Sequence, residues 1–194
     1  MDFSSGDLPV GSAQDSVLPS LPRIWIGYLL GVATMVAEFV AVSLHPELAQ
    51  APDLSKGPFV AAPLYLFLTA FVGGIFWLAC IYRIHVVLAR VRGWKHPISP
   101  ARAAGFHFIP LYSLYWIFKW PLEIARFVNG RLRRPLMKPV LIGVAILLAL
   151  VTHILDSGFG LILMFLPLSY VAQCVKQALA EPPPPSGDLP ASPE

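Results

Sequence analysis

Four apolar runs, at residues 24–44, 59–82, 139–155 and 158–175, leave this chain few ways to fold in water. They contain a single Asp, Glu, Lys or Arg side chain, Glu38. A helix needs about 20 consecutive apolar residues to cross roughly 30 Å of hydrocarbon, and the first two runs reach that length. The third and fourth are shorter and call for a snug or locally thinned bilayer. The whole chain is 56% hydrophobic and 13% charged, against about 25% charged in an ordinary soluble domain. The fold expected is therefore all-α: a four-helix transmembrane bundle, with an amphipathic helix lying in the membrane plane on the cytoplasmic side between spans 2 and 3.

Charge sets the orientation. Residues 83–138 hold Arg83, Arg90, Arg92, Lys95, Arg102, Lys119, Arg126, Arg131, Arg133, Arg134 and Lys138 but one acid, Glu123, while the chain as a whole carries only +3. An excess of Lys and Arg close to the spans marks the cytoplasmic face. Both termini then lie inside, and the loop at 45–57 and the turn Asp156-Ser157-Gly158 lie outside. In a bacterium this is the inner membrane. Ala49-Gln50-Ala51 after the first run resembles a signal-peptidase site. However, that run exceeds the about 7–15 residues of a signal core, and a long acidic segment precedes it where a signal has a short basic one. Residues 1–22 and 181–194, rich in Ser, Gly and Pro, are too poor in apolar surface to fold alone.

Two intramembrane groups invite a functional reading. Glu38 is 14 positions into the first run and His153 is 14 into the third, so the two reach similar depth. Ionisable groups inside a membrane are functional candidates by default. A Glu–His pair would be a proton or cation site if water reached it, or a packing hydrogen bond if not. Glu38 shares a helix face with Gly27, Gly31, Thr34 and Ala41, a small-residue stripe suited to close helix packing. His85 and His107 could share a metal or haem on the cytoplasmic side, beside the simpler reading of headgroup-facing histidines. Depth excludes His153 from such a pair. Cys80 and Cys174 lie in apolar runs without a second ligand at metal spacing and read as buried thiols. No Gly-rich phosphate loop, His-Glu-x-x-His helix or Gly-x-Ser-x-Gly elbow is present, so no catalytic residue, metal or cofactor is assigned.

The connection between spans 2 and 3 is too long and too apolar for a loop. Ser99 before Pro100 is a helix start, and Pro110 disfavours helix in the residue before it. A second helix is expected from Pro110 to Asn129-Gly130, with Gly as C-cap. At 100° per residue, Tyr112, Tyr115, Trp116, Lys119, Glu123 and Arg126 share one arc, and Leu111, Leu114, Ile117, Phe118, Leu122, Ile124, Ala125 and Val128 fill the other side. Such a helix lies at the interface. The rival is a re-entrant dip, in which 106–118 enters the hydrocarbon and leaves at Lys119. Arg131, Arg133, Arg134 and Lys138 follow directly, and basic groups this near a leaflet attract anionic lipid by about 1 kcal/mol each. Nucleic acid would use the same charges, but the flanking helices favour lipid.

Within this connection, Pro97-Ile98-Ser99-Pro100 with Ala103, then Phe108-Ile109-Pro110-x-Tyr112, then Tyr115-Trp116-x-Phe118 and Asn129, resembles a signature of uncharacterised bacterial multi-pass membrane proteins, some fused to a GYF-like domain. Those proteins carry Asn before the Tyr-Trp pair; this chain has Ser113. The resemblance covers roughly residues 81–130 and implies a membrane protein of unknown activity. The expected function is a non-enzymatic membrane scaffold or accessory protein that engages anionic lipid, a partner protein or a second copy through Tyr112, Tyr115, Trp116, Lys119, Arg126 and the basic cluster. The alternative is a small transporter or proton-coupled channel using Glu38 and His153.

Overall fold

The computed structural model describes residues 19–44, 46 and 64–182. They form α1 (Trp25–Leu44), α2 (Leu64–Ala89), α3 (Pro100–Gly105), α4 (Tyr112–Leu132), α5 (Pro139–Leu155) and α6 (Ser157–Ala180), with a 3-10 turn at Phe106–Phe108 and no strand among the described residues. Three helices are long and apolar enough to cross a membrane: α1, the Leu68–Ala89 part of α2, and α6. The chain is thus an all-helical membrane protein. α5 is a shorter apolar helix of 17 residues, about 26 Å at 1.5 Å per residue. Residues 1–18, most of the 45–57 loop, Pro63 and the Pro-rich segment after Pro182 lie outside the described residues.

α6 is the axis of the assembly, touching α1, α2, α4 and α5. Small residues permit this. Gly27 and Gly31 of α1 face Phe165 and Ile162 of α6, Gly158 of α6 meets the backbone of α1 at Met35, and Gly160 meets the backbone of α5 at His153. With Thr34 and Ala41 also buried, the stripe read from α1 is its contact with α6. Thr34 turns its hydroxyl back to the Leu30 carbonyl, 2.9 Å away, so no polar group is stranded there. α6 runs on through Pro167, which has no N–H to give the preceding turn. Around that turn the Tyr28 hydroxyl donates to the Phe165 carbonyl (3.1 Å) and the Trp77 indole to the Met164 carbonyl (3.1 Å).

α2 continues beyond the expected end of its apolar run at Tyr82, through Arg83 and His85 to Ala89. The reason is packing: Ile81, Ile84, His85, Leu88 and Val87 are buried, because α3 and the following turn lie against this half of α2. Ser99 caps α3 as expected, extended at φ −71° with its hydroxyl accepting from the Arg102 amide. Leu111, at φ +62°, makes the reversal into α4. α4 starts at Tyr112 and passes Gly130 to end at Arg133, whose left-handed φ of +50° does what the expected Gly130 cap would have done.

Ring contacts give the direction of α4. Trp77 meets His107, His85 meets Trp120, and Trp94 meets Phe127. His107 is in the 3-10 turn and Trp94 lies beyond α2, so α4 meets α2 itself through Trp120 on His85, while it packs on α5 and α6. α3, the 3-10 turn and α4 form a helical hairpin, joined across its arms by the Trp116 indole on the Ala103 carbonyl. Burial does not follow the arc expected from the wheel. Trp116 and Glu123 from the polar side are buried, whereas Leu114 and Phe118 from the apolar side are exposed. Neighbours decide this, since α3 covers Trp116 and two cations cover Glu123.

The glycine contacts yield a direct test. Gly160→Leu would push a side chain into the α5 backbone, whereas nothing lies within 4 Å of a Cβ added at Gly74. Overpacking of this kind costs about 3 kcal/mol. Gly160→Leu should lower the melting temperature of the detergent-purified protein sharply, and Gly74→Ala should leave it nearly unchanged.

Candidate functional site

At the Leu155 end of α5, Glu38 and His153 converge on one peptide unit. The Glu38 carboxylate accepts from the Ser157 amide (3.0 Å) and the Gly158 amide (3.2 Å), while the His153 Nδ1–H donates to the Ser157 carbonyl (2.8 Å). A carboxylate at the N-terminus of a helix satisfies amides that have no partner in the helix and meets the positive end of its dipole. Asp156 occupies the ordinary cap position and accepts from the Phe159 amide at 2.7 Å. Thus α1 supplies a second cap to α6. The pair expected to meet directly is joined instead through the backbone at Ser157.

At the opposite end, the hairpin is fastened by three contacts. The Trp116 indole donates to the Ala103 carbonyl across the two arms (2.8 Å). Asn129 donates to the Met137 carbonyl (2.9 Å) and accepts from the Met137 amide (2.8 Å), fixing the link from α4 to α5. Tyr170 of α6 donates to the Leu136 carbonyl of the same link at 2.8 Å. Trp116 is therefore a clasp of the hairpin, not the surface group expected. Asn129, read from the sequence only as a helix end and as part of the resemblance, carries a structural task that its spacing did not show.

The surface groups divide by role. Glu123, 4% exposed, is held by Lys119 (2.7 Å) and Arg126 (3.1 Å), one helical turn to either side. Arg131 is half-buried and donates to the Glu181 carbonyl at 2.9 Å. Arg133, Arg134 and Lys138 are exposed. At the tip of the hairpin, Phe108, Ile109, Leu111, Tyr112, Leu114 and Tyr115 are exposed, with Phe108 at 66% and Leu111 at 83%.

Against the hairpin lies a line of aromatic nitrogens, of which the sequence singled out His85 and His107 but not Trp94 or His96. The Trp94 indole N–H donates to His96 Nδ1 (3.3 Å), and His96 Nε2 is 2.7 Å from His85 Nδ1. His107 Nδ1 faces the carbonyls of Ala103 and Ala104 at 3.1 and 3.3 Å. Burial holds His96 below the usual imidazole range, against an opposing pull from the Glu123 carboxylate. Histidines 11 residues apart across a helix end show no periodicity, so this pairing had no sequence signal. Among the described residues, no three His, Cys, Asp or Glu side chains are grouped to hold a metal, and Cys80 and Cys174 are buried free thiols.

Between α2, the hairpin tip and α5 runs a groove of about 550 Å³, walled by Phe71, Trp77, His107, Leu114, Leu150 and His153 among others. Depth was expected to keep His153 apart from His107. The hairpin, by running alongside α2, brings both to one groove, and Ser113 lines it too. The chain matches no protein-family model, no curated protein and no solved structure.

Two predictions follow from these bonds. Glu38→Ala removes the shared cap and should cost about 1–2 kcal/mol, whereas Glu38→Gln keeps an acceptor oxygen and should cost less than half as much; thermal unfolding in detergent measures both. For His96, the folded state holds the neutral ring, so the unfolded chain binds a proton first as pH falls. Stability should decline as pH drops below the ordinary imidazole value of 6.5, and His96→Phe should flatten that limb of the melting profile.

Proposed function

We propose that this protein is a non-enzymatic integral membrane scaffold or accessory protein that engages anionic lipid through a hairpin, residues 100–132, re-entering the bilayer from the cytoplasmic side. The observation that carries this reading is Leu111. It sits at positive φ, a conformation that costs a branched side chain about 1–3 kcal/mol and glycine almost nothing, yet its side chain is the most exposed apolar group at the hairpin tip. In water that combination has no compensation. In hydrocarbon, the tip from Phe108 to Tyr115 meets acyl chains.

The base of the hairpin fits the same reading. Arg133, Arg134 and Lys138 are exposed on a link that Asn129 and Tyr170 hold in place, where cations meet the headgroups of a negatively charged leaflet. Away from the tip, the backbone of α3 and α4 is paired within its own helices, with α2 against α3 and with α5 and α6 against α4. α5 is antiparallel to α6 across the single residue Asp156, which supports four crossings with both termini on the cytoplasmic side. The resemblance to multi-pass membrane proteins points the same way, since its residues Pro100, Ala103, Pro110, Trp116 and Asn129 build the hairpin. A transporter working through Glu38 and His153 is less well supported, because both are engaged with the backbone at Ser157.

The test uses spin labels at Leu111→Cys and Arg134→Cys in liposomes containing phosphatidylglycerol. Both native thiols are buried, so the labels report alone. Position 111 should collide with oxygen rather than a water-soluble nickel complex, and position 134 the reverse. Charge reversal at Arg133, Arg134 and Lys138 should reduce co-purified anionic lipid severalfold, each cation contributing about 1 kcal/mol. A water-exposed label at 111, or unchanged lipid retention, would sink the reading.

A further inference from the structure

The histidine line has a direction that the hydrogen bonds fix. An indole nitrogen only donates, so His96 Nδ1 is the acceptor from Trp94 and carries no hydrogen. In the neutral ring the hydrogen is then on His96 Nε2, which donates to His85 Nδ1. His85 is left with its hydrogen on Nε2. His107 is oriented the other way: its Nδ1 faces two carbonyl oxygens, which only accept, so Nδ1 is the donor and Nε2 is a bare lone pair.

The outward ends of these bonds are buried. His85 Nε2, His107 Nε2 and Trp120 Nε1 are shielded from solvent and have no hydrogen-bond partner among the protein atoms described. His85 and Trp120 are both 0% exposed. Their rings lie 6.5 Å apart, and His85 is within electrostatic reach of His107. The three atoms come from α2, the 3-10 turn and α4. The set contains two donors, His85 Nε2–H and Trp120 Nε1–H, and one acceptor, His107 Nε2. Leaving such groups unpaired in the interior is costly, and interior water typically makes about three hydrogen bonds.

We propose that a single internal water is bound here, accepting from His85 and Trp120 and donating to His107. Two donors and one acceptor are the complement of one water molecule. A shared metal fits poorly, because the Trp94–His96 bond gives His85 Nε2 a hydrogen where a ligand needs a lone pair. With the water in place, the line runs from Trp94 through His96, His85, water and His107 to the Ala103 and Ala104 carbonyls. Its ends are an indole N–H and peptide oxygens, neither of which exchanges charge near neutral pH. The line therefore holds the hairpin to α2 and does not pass protons through.

Magic-angle-spinning NMR on the full-length protein, nitrogen-15 labelled and in phosphatidylglycerol-containing bilayers, tests this without any substitution. His85 and His96 should appear as Nε2–H tautomers and His107 as the Nδ1–H tautomer. Magnetisation from water should reach His85 Hε2 and Trp120 Hε1. An Nδ1–H tautomer or an imidazolium at His85 would overturn the proposal. So would an absence of water transfer to these two protons when other buried polar protons receive it. Zinc added to the same sample should leave the His85 and His107 nitrogens unmoved; joint shifts of both Nε2 signals would make the site a metal site instead. Trp120→Phe removes one donor and should keep the water signal at His85, whereas loss of that signal in a folded Trp120→Phe protein would count against a shared water.

Discussion

The arrangement depends on how closely α6 is approached by its neighbours at its N-terminus. Gly158 and Gly160 let α1 and α5 come to backbone contact on two sides, and only at that distance can Glu38 reach the first amides of α6. The contact combines dispersion at short range with a charge-assisted hydrogen bond, which a membrane interior weakens less than water does. Once α1, α5 and α6 are fixed, the register of Tyr28 and Trp77 on the carbonyls before Pro167 follows. The two ends of the bundle then differ in kind. One is closed by caps around Ser157, the other by a hairpin clasped through Trp116 and Asn129.

Three helices of membrane-crossing length were legible in the sequence because length and hydropathy decide them almost alone. The small-residue stripe of α1 was legible for the same reason: Gly27, Gly31 and Thr34 recur on one helical face, and only a helix can use that face. Ser99-Pro100 announced the start of α3 through local chemistry. Glu38 was recognised as facing another helix, but its acceptance from backbone amides was not, because those amides become available only where α6 begins.

The hairpin was harder. A helical wheel treats each side chain as facing solvent or core, and α4 has several neighbours. Trp116 turned inward because α3 folds back over it, and Glu123 because Lys119 and Arg126 neutralise it on its own helix. Gly130 looked like the end of α4, yet Arg133 adopts the left-handed turn three residues later. The reason is that Asn129 and Met137 fix where the chain must leave. His96 and Trp94 escaped notice altogether, since their partners come together only when the turn after α2 closes over the hairpin.

The burial of α4 also bears on the order in which the protein can assemble. Its inner face is covered by α5 and α6, which leave the ribosome after it. Without them, Trp120 keeps its contact with His85 and Phe127 its contact with Trp94. The packing of α4 is therefore completed only once α5 and α6 are in place. A chain halted before residue 139 would hold the same helices without the walls that receive them.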